Sequence, residues 1–324
     1  MPGHTPEILN SECNRAAAEQ MIDAIKQPLS LVPFVGAGLS VPWGYPTWPG
    51  FLQSAAEKTP NFVDIQREIA RGEYILATDH IEGALGKDGF NELVTETFGL
   101  DKLRRPSNPT AVQTLTKFVH GPVITTNFDS VLSLNFREAG NPFVLELWAG
   151  KPWLGTDVLL EDLHCLLKLH GDAADYHDRV LTPSEYKKHY GDSTQPLPRL
   201  LKNVFSSRPV LFTGCRLKED WYLQILEGLS PAPQHFAIVE FPGESVRDQR
   251  EAELRSHAIM PIWYPIGQHD HVLEILKYAA TQATPRDATP VYCLIRSELT
   301  WLRPHRQFQL SGRNSETCSS SGLL

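Results

Sequence analysis

The stretch LSLVPFVGAGLS (residues 29–40) decides the fold: an apolar run ends in two glycines separated by one alanine. An unbroken apolar run of this kind reads as a strand buried on both faces, the pattern of a parallel sheet. Glycine directly after such a strand lets the backbone turn sharply and approach a bound group, with amides directed at an anion. Val41 stands where the third glycine of a dinucleotide fingerprint belongs, which argues against an ordinary dehydrogenase loop. The chain then enters an aromatic and proline-rich segment from Trp43 to Phe51, expected to close over whatever the loop holds.

Outward from this loop, helical and strand patterns alternate. Ala16, Met21, Ile22 and Ile25 predict a helix over about residues 13–26, ahead of a first strand at 29–35. Helical patterns fill residues 51–118, and NPTAVQTLTKFV opens on Asn108 as an N-cap with Pro109 at the first helical position. Strand signals return at 122–126, 165–169, 209–213, 236–241 and 259–264, most of them followed by helical pattern. The expected fold is a doubly wound, mostly parallel, Rossmann-like α/β sheet with a helical insertion between its first two strands. The expected organisation is an N-terminal tail at 1–12, one domain at 13–284 and a C-terminal extension at 285–324, partly disordered or partner-binding.

Composition narrows the function. The 324 residues are 41% apolar, enough for a proper core, and a formal charge of −8 gives no basic footprint for nucleic acid. Cysteines at 13, 165, 215, 293 and 318 form no C-x-x-C pair, so no zinc or other metal is expected, and reduced thiols suit a cytoplasmic setting. Residues 1–20 hold no apolar signal region and no window of 18 apolar residues occurs, so neither export nor a membrane is expected.

In doubly wound sheets ligands bind beyond the carboxyl ends of the strands, and four such ends carry polar residues. The first offers Gly36, Ala37, Gly38 and Ser40. The second, ITTNFDSVL, offers Thr126, Asn127 and Asp129, where Asp129 also reads as an N-cap and Asn127 as a turn residue. The third, LLKLHGD, ends on His170, either a satisfied core histidine or a general base. The fourth, LFTGCRLKEDWYLQIL, offers Gly214 for a tight turn and Arg216, an anion contact or a solvated charge. Jointly the four favour a nucleotide site. His269 and His271 read as a surface helix start rather than a metal pair, and Glu161-Asp162 as solvated loop charges.

GAGLS, TTNFD, LHGD and GCRLKED, in this order and at these separations, resemble the sirtuin-like NAD-consuming domains, above all the bacterial branch associated with antiviral defence. GYPTWPGFL, LTPSEYKKHYG, FSSRPVLFTGC, HFAIVEFP and IMPIWYPIGQHDHVLEIL extend the resemblance over roughly residues 13–278. It implies that Gly36, Ala37, Gly38 and Ser40 line the diphosphate of NAD, with Thr126 at the same site. It further places Asn127 and Asp129 near the nicotinamide ribose, His170 as catalytic base, and Gly214 beneath the adenosine half. Deacylating members carry a four-cysteine zinc module and a Phe-Arg pair after the glycine loop, and this chain has neither. Arg216 stands where the family usually has serine, a departure that bears on NAD against NADP.

Chemistry supports the same set. Breaking the bond between nicotinamide and ribose generates an oxocarbenium-like centre, which needs a held diphosphate, an oriented ribose and a group that positions water. Asparagine can position water, and a histidine near an ordinary pKa of about 6.5 can take a proton at neutral pH, with activity falling below about pH 6 to 6.5. The expected function is an NAD glycohydrolase of antiviral, abortive-infection defence, releasing nicotinamide and ADP-ribose. The alternatives are a sensing module that binds NAD or ADP-ribose without turnover, and a protein deacylase or ADP-ribosyltransferase. Expected partners are further copies of the chain, as a homo-oligomer, or a defence protein such as a DNA-translocating ATPase or an Argonaute-like protein.

Overall fold

Seven strands form one all-parallel sheet in the computed structural model, which describes residues 5–27, 31–149, 162–175, 179–217, 221–227, 229 and 232–283. They are β1 (Val32–Val35), β2 (Val123–Thr125), β3 (Leu145–Trp148), β4 (Cys165–Lys168), β5 (Val210–Thr213), β6 (His235–Glu240) and β7 (Ile259–Tyr264). Their order is β3-β4-β2-β1-β5-β6-β7. From the central β1 the chain lays strands to one side and then crosses to β5 on the other. The topological switch point therefore lies between β1 and β5, where the GAGLS and GCRL loops emerge.

Five strands fall within runs that read as strands and β6 overlaps its run, starting one residue earlier at His235; β3 matches none. LELW is a four-residue edge strand with a single buried side chain, Leu147, so it lacks both the apolar run of a central strand and a long alternation. Pro33 sits in the central strand because its missing N–H faces β2, whose pairing with β1 starts only at Phe34↔Ile124.

Alternate residues of each strand feed two cores, one on either face. Val35, Val123, Leu166, Leu211 and Ile262 join the core built with helices α1 (Glu12–Lys26), α5 (Ala111–Leu115) and, at the C-terminal end, α11 (Asp270–Gln282). Phe34, Ile124, Leu167, Phe212 and Ala237 join the other, packed by α8 (Pro196–Ser207), α9 (Trp221–Glu227) and α10 (Glu244–Ser256). Between β1 and β2 stand α2 (Trp48–Ala56), α3 (Phe62–Arg71), α4 (Tyr74–Phe98) and α5. α4 bends at Gly86, whose φ of 74° and ψ of 161° are open to glycine alone. α6 (Val131–Glu138) follows β2, and α7 (Pro183–Tyr190) lies between β4 and β5.

Two helix starts move relative to the sequence reading. α5 is capped by Thr110, not Asn108, in a capping box with Gln113. α6 begins at Val131, two residues after Asp129. Among the described residues no helix is long and apolar enough to cross a membrane. Met1–Thr284 forms one compact unit; the C-terminal extension at 285–324 lies outside the described residues.

Candidate functional site

Strand register assembles the site. Thr213, Val35, Thr125 and Lys168 pair in one row across β5, β1, β2 and β4. Asn127 and His170 each lie two residues beyond that row, on neighbouring strand ends.

At the switch point the two glycine loops touch backbone to backbone. Gly36 N–H donates to Thr213 O at 2.9 Å and Gly38 N–H to Gly214 O at 3.1 Å. A Cβ on Gly36 would lie 2.4 Å from Gly214 O, and one on Gly214, whose φ is 70°, would lie 2.6 Å from Leu39 Cδ1. These glycines thus serve close approach between loops. The expectation that both amides face an anion is corrected, since β5 and its loop take them; Leu39 and Ser40 N–H turn back to Gly36 O and Ala37 O.

Asn127 is buried, 7% exposed, and is oriented by its neighbours. Its backbone N–H donates to Thr125 Oγ1 at 3.0 Å, and its Nδ2 donates to Gly36 O and Ser40 Oγ, each at 3.1 Å. A carbonyl only accepts, so Gly36 O selects the amide orientation in which nitrogen faces it. Asn127 Oδ1 is then a buried acceptor with no partner among the described residues. Such an acceptor is costly unless a ligand or water meets it.

Asp129 is not the N-cap the sequence offered, since Ser130 holds that position; its Oδ1 accepts from Val131 N–H at 2.9 Å, a turn that leads into α6. Burial raises its carboxyl above the usual value, against the opposing pull of Lys168, the Val131 N–H and Ser40. Thr126 is half-buried and its N–H donates to Val35 O at 3.3 Å. Ala37 is half-buried at the loop tip.

His170 is half-buried, its ring 6.2 Å from that of Phe128 and 5.6 Å edge-on from that of Tyr186, whose hydroxyl lies 3.2 Å from His170 Nε2. Burial lowers its pKa to about 4. This corrects the expectation of an ordinary imidazole: the ring is neutral through the whole range in which an unperturbed histidine titrates. It can accept a proton at neutral pH, and it stays able to do so well below pH 6.

Sequence reasoning passed over the side chains that hold this loop. Lys168 joins it to the Asn127 loop, and Tyr190 OH donates to Leu169 O at 3.0 Å. Arg179, 2% exposed, donates to Asp172 O, Ala173 O, Asn91 O and Thr95 Oγ1 and so ties the loop to α4. A lysine between leucines in LLKLHGD was the available signal for the first; nothing local marks Arg179.

The segment from Trp43 to Phe51 is not a cover. Trp43 and Tyr45 are 1% and 2% exposed, Tyr45 OH donates to Gly99 O, and Trp48 packs on Phe51 and Phe128 at 5.2 and 6.0 Å. These aromatics form an inner wall behind Phe128, because four large rings bury more apolar surface in the core than over a crevice.

The remaining candidates separate. Arg216 is exposed and its Nη1 donates to Tyr74 OH at 2.8 Å. His271 lies on Glu274 and Gln268 while His269, at the start of α11, lies near Glu240 and Tyr264. Asp162 is a correction in part: it is half-buried rather than a free loop charge, and accepts from the buried Arg208 at 2.8 Å. Glu161 lies outside the described residues. Among the described residues no three His, Cys, Asp or Glu side chains gather as a metal site.

Residues 122–262 match the family model described as SIR2-like domain, a stretch that holds TTNFD, LHGD and GCRLKED and starts after GAGLS. The chain is 28% identical over 188 residues to NAD(+) hydrolase ThsA of Enterococcus faecium, 56% of this chain and 36% of that one. It is 26% identical over 184 residues to NAD(+) hydrolase ThsA of Cytobacillus dafuensis, 56% of this chain and 34% of that one. The match thus spans about a third of the length of each relative. A crystal structure of a Sir2 homolog-NAD complex superposes with a TM-score of 0.37 and 13% identity, covering 82% of this chain and 95% of that one. A SIR2-like domain match therefore spans residues 122–262, in line with the resemblance of the three motifs it holds.

Proposed function

We propose that the chain hydrolyses NAD to nicotinamide and ADP-ribose. The observation that carries this reading is Asn127 Oδ1, a buried acceptor fixed in direction and unmet among the described residues, beside a histidine kept neutral. Two relatives named NAD(+) hydrolase support it.

In this reading NAD lies over the joined β1 and β5 loops, with its nicotinamide ribose toward β2 and β4. Asn127 Oδ1 accepts a hydrogen bond from water and aims the water oxygen at C1′ of that ribose. The C1′–N bond breaks with its electron pair moving to the pyridine nitrogen, and neutral nicotinamide leaves. As the water oxygen bonds C1′, its proton passes to the His170 imidazole and then to solvent. Asp129, holding the start of α6, and Ser40, joined to Asn127, orient the ribose side of the pocket.

An enzyme that destroys NAD must be restrained, so we further propose activation by self-association or by a defence partner, with NAD depletion as the outcome. The test is to mix the purified full chain with NAD and follow nicotinamide by chromatography, as dilute monomer and at concentrations where light scattering shows assembly. Nicotinamide release supports the reading. Binding of NAD by calorimetry with no release in either state overturns it in favour of a sensing module.

A further inference from the structure

Lys168 ends β4 between Leu167 and Leu169 and is 1% exposed. Its Nζ donates to Phe128 O and Asp129 O, each at 2.8 Å, and to Asp172 Oδ2 at 2.5 Å. An ammonium has three donors, and all three are used. Two reach the loop after β2 and one reaches the loop after β4. A methionine would fill the same space without the cost of burying a charge; the ammonium adds geometry.

We propose that Lys168 is a positioning residue: it clamps the Asn127 loop to the His170 loop and so sets the distance between the water-holding amide and the base. The proposal rests on the NAD-hydrolase reading for its consequence in catalysis, though the clamp itself is independent of it. Phe128, whose carbonyl Lys168 holds, is the residue whose ring lies against His170. Asp172, the anionic partner, is two residues after His170, and its Oδ1 also accepts from Ala174 N–H. Releasing the clamp frees the Phe128 side of the imidazole and the loop that carries His170 at once. Groups facing that imidazole include the Tyr186 hydroxyl from α7 and the Phe128 ring from the β2 loop. Lys168 and Asp172 stand on its own segment, Asp129 lies across Lys168, and Tyr190 lies against Tyr186.

The test compares Lys168→Met with the milder Asp172→Asn, reading kcat and KM for NAD and, separately, the His170 titration by carbon-13 NMR. Lys168→Met should lower kcat about 10- to 100-fold with KM changed less than about threefold, the signature of misplaced groups rather than lost binding. Water entering beside the ring should move His170 titration up from about 4 toward the ordinary value. Asp172→Asn should shift both readouts the same way by less, since two carbonyl bonds remain, and it decides the matter if Lys168→Met fails to fold. Folded variants with unchanged kcat and unchanged His170 titration would overturn the proposal and leave Lys168 a packing residue. Should wild-type chain release no nicotinamide, the hydrolase reading falls while the titration still decides the clamp.

Discussion

Asn127 Nδ2 donates to the carbonyl oxygen of Gly36 at 3.1 Å, across the seam between β2 and β1. Turning the amide over would set two acceptors face to face in a buried place, so this contact fixes where Oδ1 points.

Asn127→Ala should lower kcat by roughly 10²- to 10³-fold, the loss seen when one positioned polar group is removed from an active site. NAD affinity should change little, since the two loops remain joined. Asn127→Asp is nearly isosteric yet sets a carboxylate oxygen against Gly36 O, so it should also cost about 1–3 kcal/mol of stability. Nicotinamide release and urea unfolding check the pair. Activity near the wild-type level in Asn127→Ala removes the residue from the reaction.

The pH profile carries the second expectation. With its folded pKa near 4, His170 remains a base until the pH approaches that value, so the acid limb of kcat should lie well below 6.5. Stability follows the same shift. The unfolded histidine takes a proton near pH 6.5 and the folded one only near 4, so the unfolded state binds more protons between them. The contribution is complete above pH about 6.5 and is lost as the pH falls toward 4. The buried His235, also lowered to about 4, adds a second contribution of the same sign. Urea midpoints measured from pH 7 to 4.5 should fall less steeply in His170→Asn. An acid limb at pH 6 to 6.5 would contradict the burial of the ring.

Glycines 36 and 140 should respond differently to alanine. Gly36→Ala forces a Cβ to 2.4 Å from Gly214 O, so it should move the two loops apart and lose about 1–3 kcal/mol together with NAD turnover. Gly140 has a φ of 76° and open space around it, so its alanine variant should cost about 1–2 kcal/mol from backbone alone and keep kcat. Equal loss of turnover in both would show that stability, not loop contact, is being measured.

Arg216 is exposed on Tyr74, which a phosphate oxygen would outcompete as a partner. Arg216→Ala should leave stability within about 0.5 kcal/mol, and raise KM for NAD about 10-fold or more with kcat unchanged, the behaviour of a contact equal in ground and transition states. An unchanged KM returns Arg216 to the surface.

The sequence by itself determined the parallel sheet and the order of its polar strand ends, because buried strands read as apolar runs and glycine, Asn-Asp and His-Gly steps mark where they stop. It also set Asn127 and His170 on neighbouring strand ends, each two residues beyond the paired Thr125 and Lys168. Only the tertiary structure decided what each group is free to do. Gly36 and Gly38 spend their amides on β5 and the loop after it, the Trp43 and Tyr45 rings turn inward, and β3 forms because β4 offers an edge to its half-buried residues. The open acceptor of Asn127, the neutral ring of His170 and the clamps of Lys168 and Arg179 all depend on partners distant in the chain. Hydrogen-bond satisfaction and desolvation are properties of a site's surroundings, and those surroundings exist only once the chain has folded.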